Sequence, residues 1–138
     1  MIEKEMGLEA STIVGAILKG HREKMKIPQV DIARKLKYKS HNFVSIIESG
    51  RSPIPANKFL AVLDAYQIPH RMVLPIMKMM HPQFWEIMMA GIDASKSLMR
   101  KKTKDIDAET DDIFLKWAEE YGALSQRQMK EFQEMIGD

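Results

Sequence analysis

The sequence predicts an all-α protein. Apolar residues recur at three- and four-residue spacing along nearly the whole chain, strand-like alternation is absent, and glycines and prolines cut the pattern into short pieces. No internal repeat or low-complexity tract interrupts it.

A first helix is expected from Ser11 or Thr12, either a good N-cap, with Ile13, Ile17 and Leu18 as its apolar stripe. It runs toward Met25 and breaks at Lys26. Pro28 falls in the first turn of a second helix, where its missing N–H costs nothing, and Val30, Ile32, Ala33 and Leu36 form the inward face. Lys37–Ser40 make a turn. A third helix covers about His41 to Ser49, with Val44, Ile46 and Ile47 on its apolar side and Gly50 as its stop. After the Arg51–Pro55 loop, a fourth helix from about Ala56 to Tyr66 carries Phe59, Leu60, Leu63 and Tyr66. A fifth begins near Pro69 and carries Val73, Ile76, Met77 and Met80, with Pro75 expected to kink or shorten it.

Beyond His81–Pro82 a longer amphipathic helix is marked by Phe84, Ile87, Met88, Gly91, Ile92 and Leu98. Arg100–Lys104 reads as a basic linker. Asp105, Asp107, Glu109, Asp111 and Asp112 suit the positive end of the next helix, whose apolar side is Ile113, Phe114, Trp117 and Tyr121 and whose end is Gly122. Ser125 with Gln128 forms a capping-box pattern for a last helix bearing Met129, Phe132 and Ile136. Residues 1–81 are therefore read as one unit and 82–138 as a C-terminal helical extension.

Composition narrows the function classes. A chain of 138 residues, 45% hydrophobic and 29% charged, has material for one core and too little length for two full-sized domains. It has no cysteine, which removes disulfides and zinc–thiolate sites and suits a reducing, cytoplasmic setting. The N-terminal stretch carries acids where a secretion signal carries bases, and no run approaches the length of a membrane span. The net charge of +2 hides an asymmetry: Lys19–Lys58 holds ten Lys/Arg against three Asp/Glu, whereas Pro82–Asp138 holds eight against twelve. A local +7 beside a local −4 is the footprint of a polyanion-binding face.

The segment PQVDIARKLKYKSHNFVSIIESG, Pro28 to Gly50, lies inside that basic block. It asks to be two short helices crossing at a tight turn, with small Ala33 at the crossing and Leu36 and Ile47 pointing to a shared core. The turn and the start of the third helix then present Lys39, Ser40, His41, Asn42 and Ser45. Compact donors and acceptors at the exposed N-terminal end of a helix are what readout in the major groove requires, and a helix N-terminus also favours phosphate oxygens.

From Gly15 to about Met80 the chain resembles the Cro-like, or XRE, family of phage-repressor-type helix-turn-helix domains. The matching residues are Gly15 and Leu18, then Arg22, Gln29, Ala33 and Leu36, then Ser45-Ile46-Ile47-Glu48-Ser49-Gly50, and Arg51 and Pro53. The turn departs from the family. Lys37 stands where glycine is usual, and the run is one residue longer, resembling a subtype with "Y-K-S-x-N-F". The longer turn leaves open which of Ser40, His41 and Asn42 faces a base.

The resemblance implies a five-helix, repressor-like DNA-binding domain followed by C-terminal helices. It also implies a homodimer on a palindromic operator in double-stranded DNA; the region after Met80 lies outside the resemblance, and the apolar stripes of the helices after Pro82 are expected to pair the protomers. By the same resemblance Gln29 touches the DNA backbone and its neighbour on the recognition helix, Lys39, His41, Asn42 and Ser45 face bases, and Arg51, Asn57 and Lys58 sit near phosphates. With Lys37 and Ser40, these ten residues are the candidate DNA-binding set.

Other signals are weaker. His21, His41, His70 and His81 share no metal-ligand spacing. No phosphate loop, nucleophile elbow or catalytic dyad is present, so neither an enzyme nor a cofactor is expected. Met72, Met77, Met79, Met80, Met88 and Met89 read as core or dimer seam before adaptable binding surface, and Trp85 and Trp117 as packing anchors. A sequence-specific transcriptional regulator of repressor type is the leading reading. An antitoxin-like or adaptor protein whose residues 82–138 bind another protein is second, and a non-specific nucleic-acid binder third.

Overall fold

The computed structural model describes residues 2–95 and 103–137. Over those residues the secondary structure is helical, with no strand: α1 (Ile2–Lys24), α2 (Gln29–Lys35), α3 (Asn42–Glu48), a 3-10 turn (Ala56–Lys58), α4 (Phe59–Ala65), α5 (His70–Met80), α6 (Pro82–Ala94), α7 (Thr103–Glu120) and α8 (Gln126–Gly137).

Five of these helices end in the same way. The residue at C′ takes a left-handed conformation: Lys26 (φ 57°), Lys37 (φ 63°), Gly50 (φ 77°), Gln67 (φ 57°) and Gly122 (φ 62°). Its N–H and that of the next residue turn back onto carbonyls of the last helical turn, as in Lys37 N–H to Arg34 O (3.0 Å) and Tyr38 N–H to Ala33 O (2.9 Å). This pattern satisfies carbonyls that the helix leaves free. Three of the five positions are not glycine, so they carry the steric penalty that glycine avoids.

The core is built around α1. Ala10, Val14, Ile17 and Leu18 pack with Ile32 and Ala33 of α2, Val44 and Ile47 of α3, Ile54, Val62, Leu63 and Tyr66, and Met72 and Ile76 of α5. Phe114, Trp117 and Ala118 of α7, with Leu124, enter the same cluster. Residues 1–81 and 82–138 thus share a core. Polar ties reinforce the junction. Buried His21 donates from Nε2 to the Gln67 carbonyl (3.1 Å), which leaves Nδ1 to accept from the Tyr121 hydroxyl (2.9 Å). Its ring stacks on Trp117 with centroids 5.6 Å apart. Lys78 of α5 bridges Asp107 (2.7 Å) and Asp111 (2.5 Å), and Asp107 also accepts from Trp85 Nε1 of α6 (2.8 Å).

Several expectations need correcting. α1 begins at Ile2, well before Ser11, which lies inside the helix and is buried; the preceding IEKEMGLEA is rich in good helix formers. Val30 and Leu60 point outward, 52% and 68% exposed, because α2 and α4 are two-turn helices whose inward stripes are filled by Ile32–Ala33 and by Phe59, Val62 and Leu63. α5 runs unbroken through Pro75. α6 is turned about its axis relative to expectation. It buries Trp85 against α7, while Phe84 (49% exposed) and Ile87 (68% exposed) face away. Both tryptophans are buried.

α7 begins at Thr103, so Thr103 and Lys104 are helical; the rest of the expected linker and Leu98 lie outside the described residues. Of the five acids expected at the start of α7, only Asp105 lies in its first turn, and Asp107 and Asp111 face Lys78 instead. The Ser125–Gln128 capping box forms reciprocally, at 3.1 and 3.0 Å. The side chains of Phe132 and Ile136 lie outside the described residues.

Candidate nucleic-acid interface

The segment from Pro28 to Gly50 folds as two two-turn helices joined by a six-residue connection. Pro28 is the N-cap of α2, extended at φ −67° and ψ 153°, and not its first helical residue. Lys37 adopts the left-handed conformation that the turn demands. It therefore stands where glycine would carry the least strain. His41 is the N-cap of α3 without a side-chain capping bond, and Asn42 opens the helix, its N–H 3.4 Å from Ser40 Oγ.

The back of α3 is fixed closely against α1. A Cβ on Gly15 would lie 2.5 Å from the Ile47 carbonyl oxygen and 2.8 Å from that of Glu48, so only glycine permits this approach. At the far end of α3, Glu48 is buried and saturated. Arg22 grips it with Nε to Oε2 (2.8 Å) and Nη2 to Oε1 (2.9 Å); Gln29 Nε2 donates to Oε1 (3.1 Å) and the Tyr66 hydroxyl to Oε2 (2.6 Å). Burial alone pushes the Glu48 carboxyl up, but the hydrogen bonds from Arg22, Tyr66 and Gln29 outweigh it and hold the carboxyl below its usual range. Burial and the Glu48 charge together push the Tyr66 hydroxyl up. One carboxylate thus ties α1, α2, α3 and the C-cap of α4, Tyr66, into a frame.

On that frame Lys37, Lys39, Ser40, His41 and Asn42 are exposed, and Ser45 is half-buried one turn into α3. The structure brings these six together along the turn and the outer start of α3. Lys35, Lys37 and Lys39 make no ion pair among the described residues, whereas Arg34 pairs with Asp31 at 3.2 Å. A groove of about 380 Å³ runs beside the turn, lined by Arg34, Lys37, Lys39, Ser40 and His41 over a floor of Val30, Ala33 and Tyr38. By contrast, the depression of about 430 Å³ between α6 and α7 carries the carboxylates of Glu86, Asp93 and Asp107, with Lys104 the one cation lining it among the described residues.

The other candidate residues are placed differently. Gln29 spends its amide N–H on Glu48, at the C-terminal end of α3, and is half-buried. Arg51 is exposed after α3, its Nε on Ser49 Oγ (3.0 Å). Asn57 is exposed on the 3-10 turn. Lys58, also exposed, hydrogen-bonds the Tyr38 hydroxyl, with its ammonium 4.5 Å from the Tyr38 ring centroid and 5.7 Å from that of Phe43. Sequence reasoning missed the Tyr38–Phe43 pair, whose centroids are 4.6 Å apart. Nor does the sequence show that Arg22 and Gln29 meet Glu48, since partners 26 and 19 residues apart leave no local pattern.

No family model, curated protein or solved structure matches this chain. Among the described residues no group of three or more His, Asp or Glu is placed to hold a metal ion, and no helix is long and apolar enough to cross a membrane.

Proposed function

We propose that this protein is a sequence-specific, DNA-binding transcriptional regulator of the Cro-like helix-turn-helix type, acting in the cytoplasm without catalysis or cofactor. The observation that carries the reading is the exposed polar run Lys39–Asn42 with Ser45. It stands at the outer N-terminal end of a helix whose back is locked by Gly15 and Glu48. In this reading α3 enters the major groove and Asn42, His41 and Ser45 meet base edges. Lys39 reaches a base edge beside them, and Lys37, Arg51 and Asn57 meet phosphates. Gln29 touches the backbone through its remaining carbonyl face or the start of α2. The lysines beside the turn support the assignment, since among the described residues no carboxylate pairs with them.

The protein acts as a homodimer, because one recognition helix reads too few base pairs and a two-fold operator calls for a two-fold protein. The apolar side of α7 is spent inside the chain, so the pairing surface is the outer face of α6, where Phe84 and Ile87 are exposed. That same face favours the second reading, an antitoxin-like or adaptor role in which another protein covers it.

Salt dependence of binding to a mixed duplex pool tests the reading. With roughly six to ten phosphate contacts per dimer, affinity falls by about 10³ to 10⁵ between about 50 and 200 mM salt. Absence of binding at about 50 mM salt by a folded dimer would falsify it.

A further inference from the structure

The turn between α2 and α3 has a clip at its base. Tyr38 is the second residue past the end of α2's C-cap, and its N–H closes the helix end on Ala33 O. Phe43 is the second residue of α3. The two half-buried rings meet at 4.6 Å and 31°, so the residues that bracket the loop touch each other. The four residues between them, Lys39 to Asn42, are all exposed. Lys58, from the 3-10 turn ahead of α4, hydrogen-bonds the Tyr38 hydroxyl and lies near both rings.

We infer that Tyr38 and Phe43 are positioning residues that set sequence specificity, and that Lys58 acts through Tyr38 and not as a phosphate contact. The inference rests on the DNA-binding reading. Its physical basis is the loop's length and the exposure of the residues between the two rings, whose own positions are set by their contact with each other and with the core. The connection is longer than a minimal turn: backbone bonds close its two ends, Tyr38 N–H on Ala33 O and Ser45 N–H on His41 O, and between them, among the described residues, the hydrogen bond is the 3.4 Å contact from Asn42 N–H to Ser40 Oγ. A loop of this kind holds one conformation only if its ends are held. Aromatic contact across the ends supplies that hold. With the clip intact, His41 and Asn42 are presented in one orientation to the base edges. With it opened, the cations still meet phosphates, but the polar side chains sample several orientations. Affinity for any duplex then survives while discrimination between duplexes is lost.

The test uses the full-length protein, the duplex enriched by selection, and a scrambled duplex of the same length. Tyr38→Ala and Phe43→Ala are each expected to lower the preference for the selected duplex at least tenfold. Binding to the scrambled duplex stays within about twofold, and the salt slope is unchanged. The double variant is expected to lose no more than the worse single variant. Tyr38→Phe, which keeps the ring pair, retains most of the preference. Equal losses on both duplexes, or an intact preference in Tyr38→Ala, overturn the inference.

Lys58→Met is expected to match Tyr38→Phe with an unchanged salt slope. A slope lower by about 1 makes Lys58 a phosphate contact and overturns its part. Hydrogen exchange read without DNA keeps the clip separable from the DNA-binding reading. In Tyr38→Ala the amides of Ser40 to Asn42 exchange at least tenfold faster, while those of α1 and α5 are unchanged. If the wild-type protein prefers no duplex, the reading of function fails and the exchange arm still decides the clip. Unaltered exchange overturns it.

Discussion

Gly20 of α1 and Tyr121 at the end of α7 are in such close contact that a Cβ on Gly20 would lie 2.7 Å from the tyrosine Cδ1 and 3.0 Å from its Cβ and Cγ. The bare glycine backbone lets the end of α7 seat the Tyr121 ring on α1, where its hydroxyl meets His21. Gly15, one and a half turns earlier, does the same for α3. These two contacts differ in what would have to give. At Gly15 the obstacle is backbone carbonyl; at Gly20 it is a side chain.

That difference predicts an order of stabilities. Ala in place of Gly inside a helix normally stabilises by about 1 kcal/mol, and overpacking normally costs about 1–3 kcal/mol or more. Gly15→Ala, pressed against immobile carbonyls, is expected to lose at least about 2 kcal/mol net. Gly20→Ala is expected to lose about 1 kcal/mol, as the Tyr121 ring shifts and its bond to His21 lengthens. Urea denaturation of both variants checks the order, and a Gly15→Ala variant as stable as Gly20→Ala contradicts it.

The Glu48 hub makes an acid-limb prediction. The folded-state carboxyl titrates below its ordinary value of 4.5, so the folded state binds fewer protons than the unfolded chain in that window. Its contribution is therefore present above about pH 4.5 and is lost as pH falls through the folded value. Asp111 works in the opposite sense. Burial raises it despite the Lys78 bond, so its ionisation opposes folding as pH rises above 3.8. Glu48→Gln is expected to flatten the loss of stability below about pH 4.5, and to cost about 3 kcal/mol or more at neutral pH because Arg22 loses its buried partner. Melting curves from pH 3 to 7 read both effects; a variant with the wild-type acid limb would show that Glu48 does not govern it.

The outer face of α6 predicts an assembly variant that leaves the fold alone. Ile87 is 68% exposed, so Ile87→Glu buries no charge in the protomer and its melting temperature as a monomer stays within a few degrees of the wild type's. In the dimer two such charges would face each other across a two-fold axis. Sedimentation is expected to find a wild-type dimer and an Ile87→Glu monomer at micromolar concentration. A variant that remains dimeric moves the seam away from α6.

Much of the helical framework was legible in the sequence because spacing and punctuation agree. Gly50 and Gly122 end their helices where expected, and the Ser125–Gln128 box caps α8. Periodicity could not tell which side of α6 faces inward, since Trp85, Met89 and Ile92 lie opposite an equally apolar Phe84 and Ile87. The side chosen depends on Asp107, which draws Trp85 Nε1 toward α7 from 22 residues away. Long-range polar pairs of this kind leave no local trace. For the candidate site, the exposed Lys39–Asn42 run followed from residue type and position. The Tyr38–Phe43 contact did not, because ring pairing across a turn follows no helical or strand period.

The most direct test of the central claim is selection of bound duplexes from a random pool, done in parallel with wild-type protein and Asn42→Ala. Asn42 is the first residue of α3 and not its N-cap, so the substitution is expected to leave the melting temperature nearly unchanged. Wild-type protein is expected to enrich a two-fold-symmetric site whose half-sites are about one helical turn apart, or a multiple of it. Asn42→Ala is expected to enrich the same site with preference relaxed at one symmetry-related base position, at a cost of about 1–3 kcal/mol on the wild-type sequence. A folded wild-type dimer that enriches no sequence over the input pool would contradict the account.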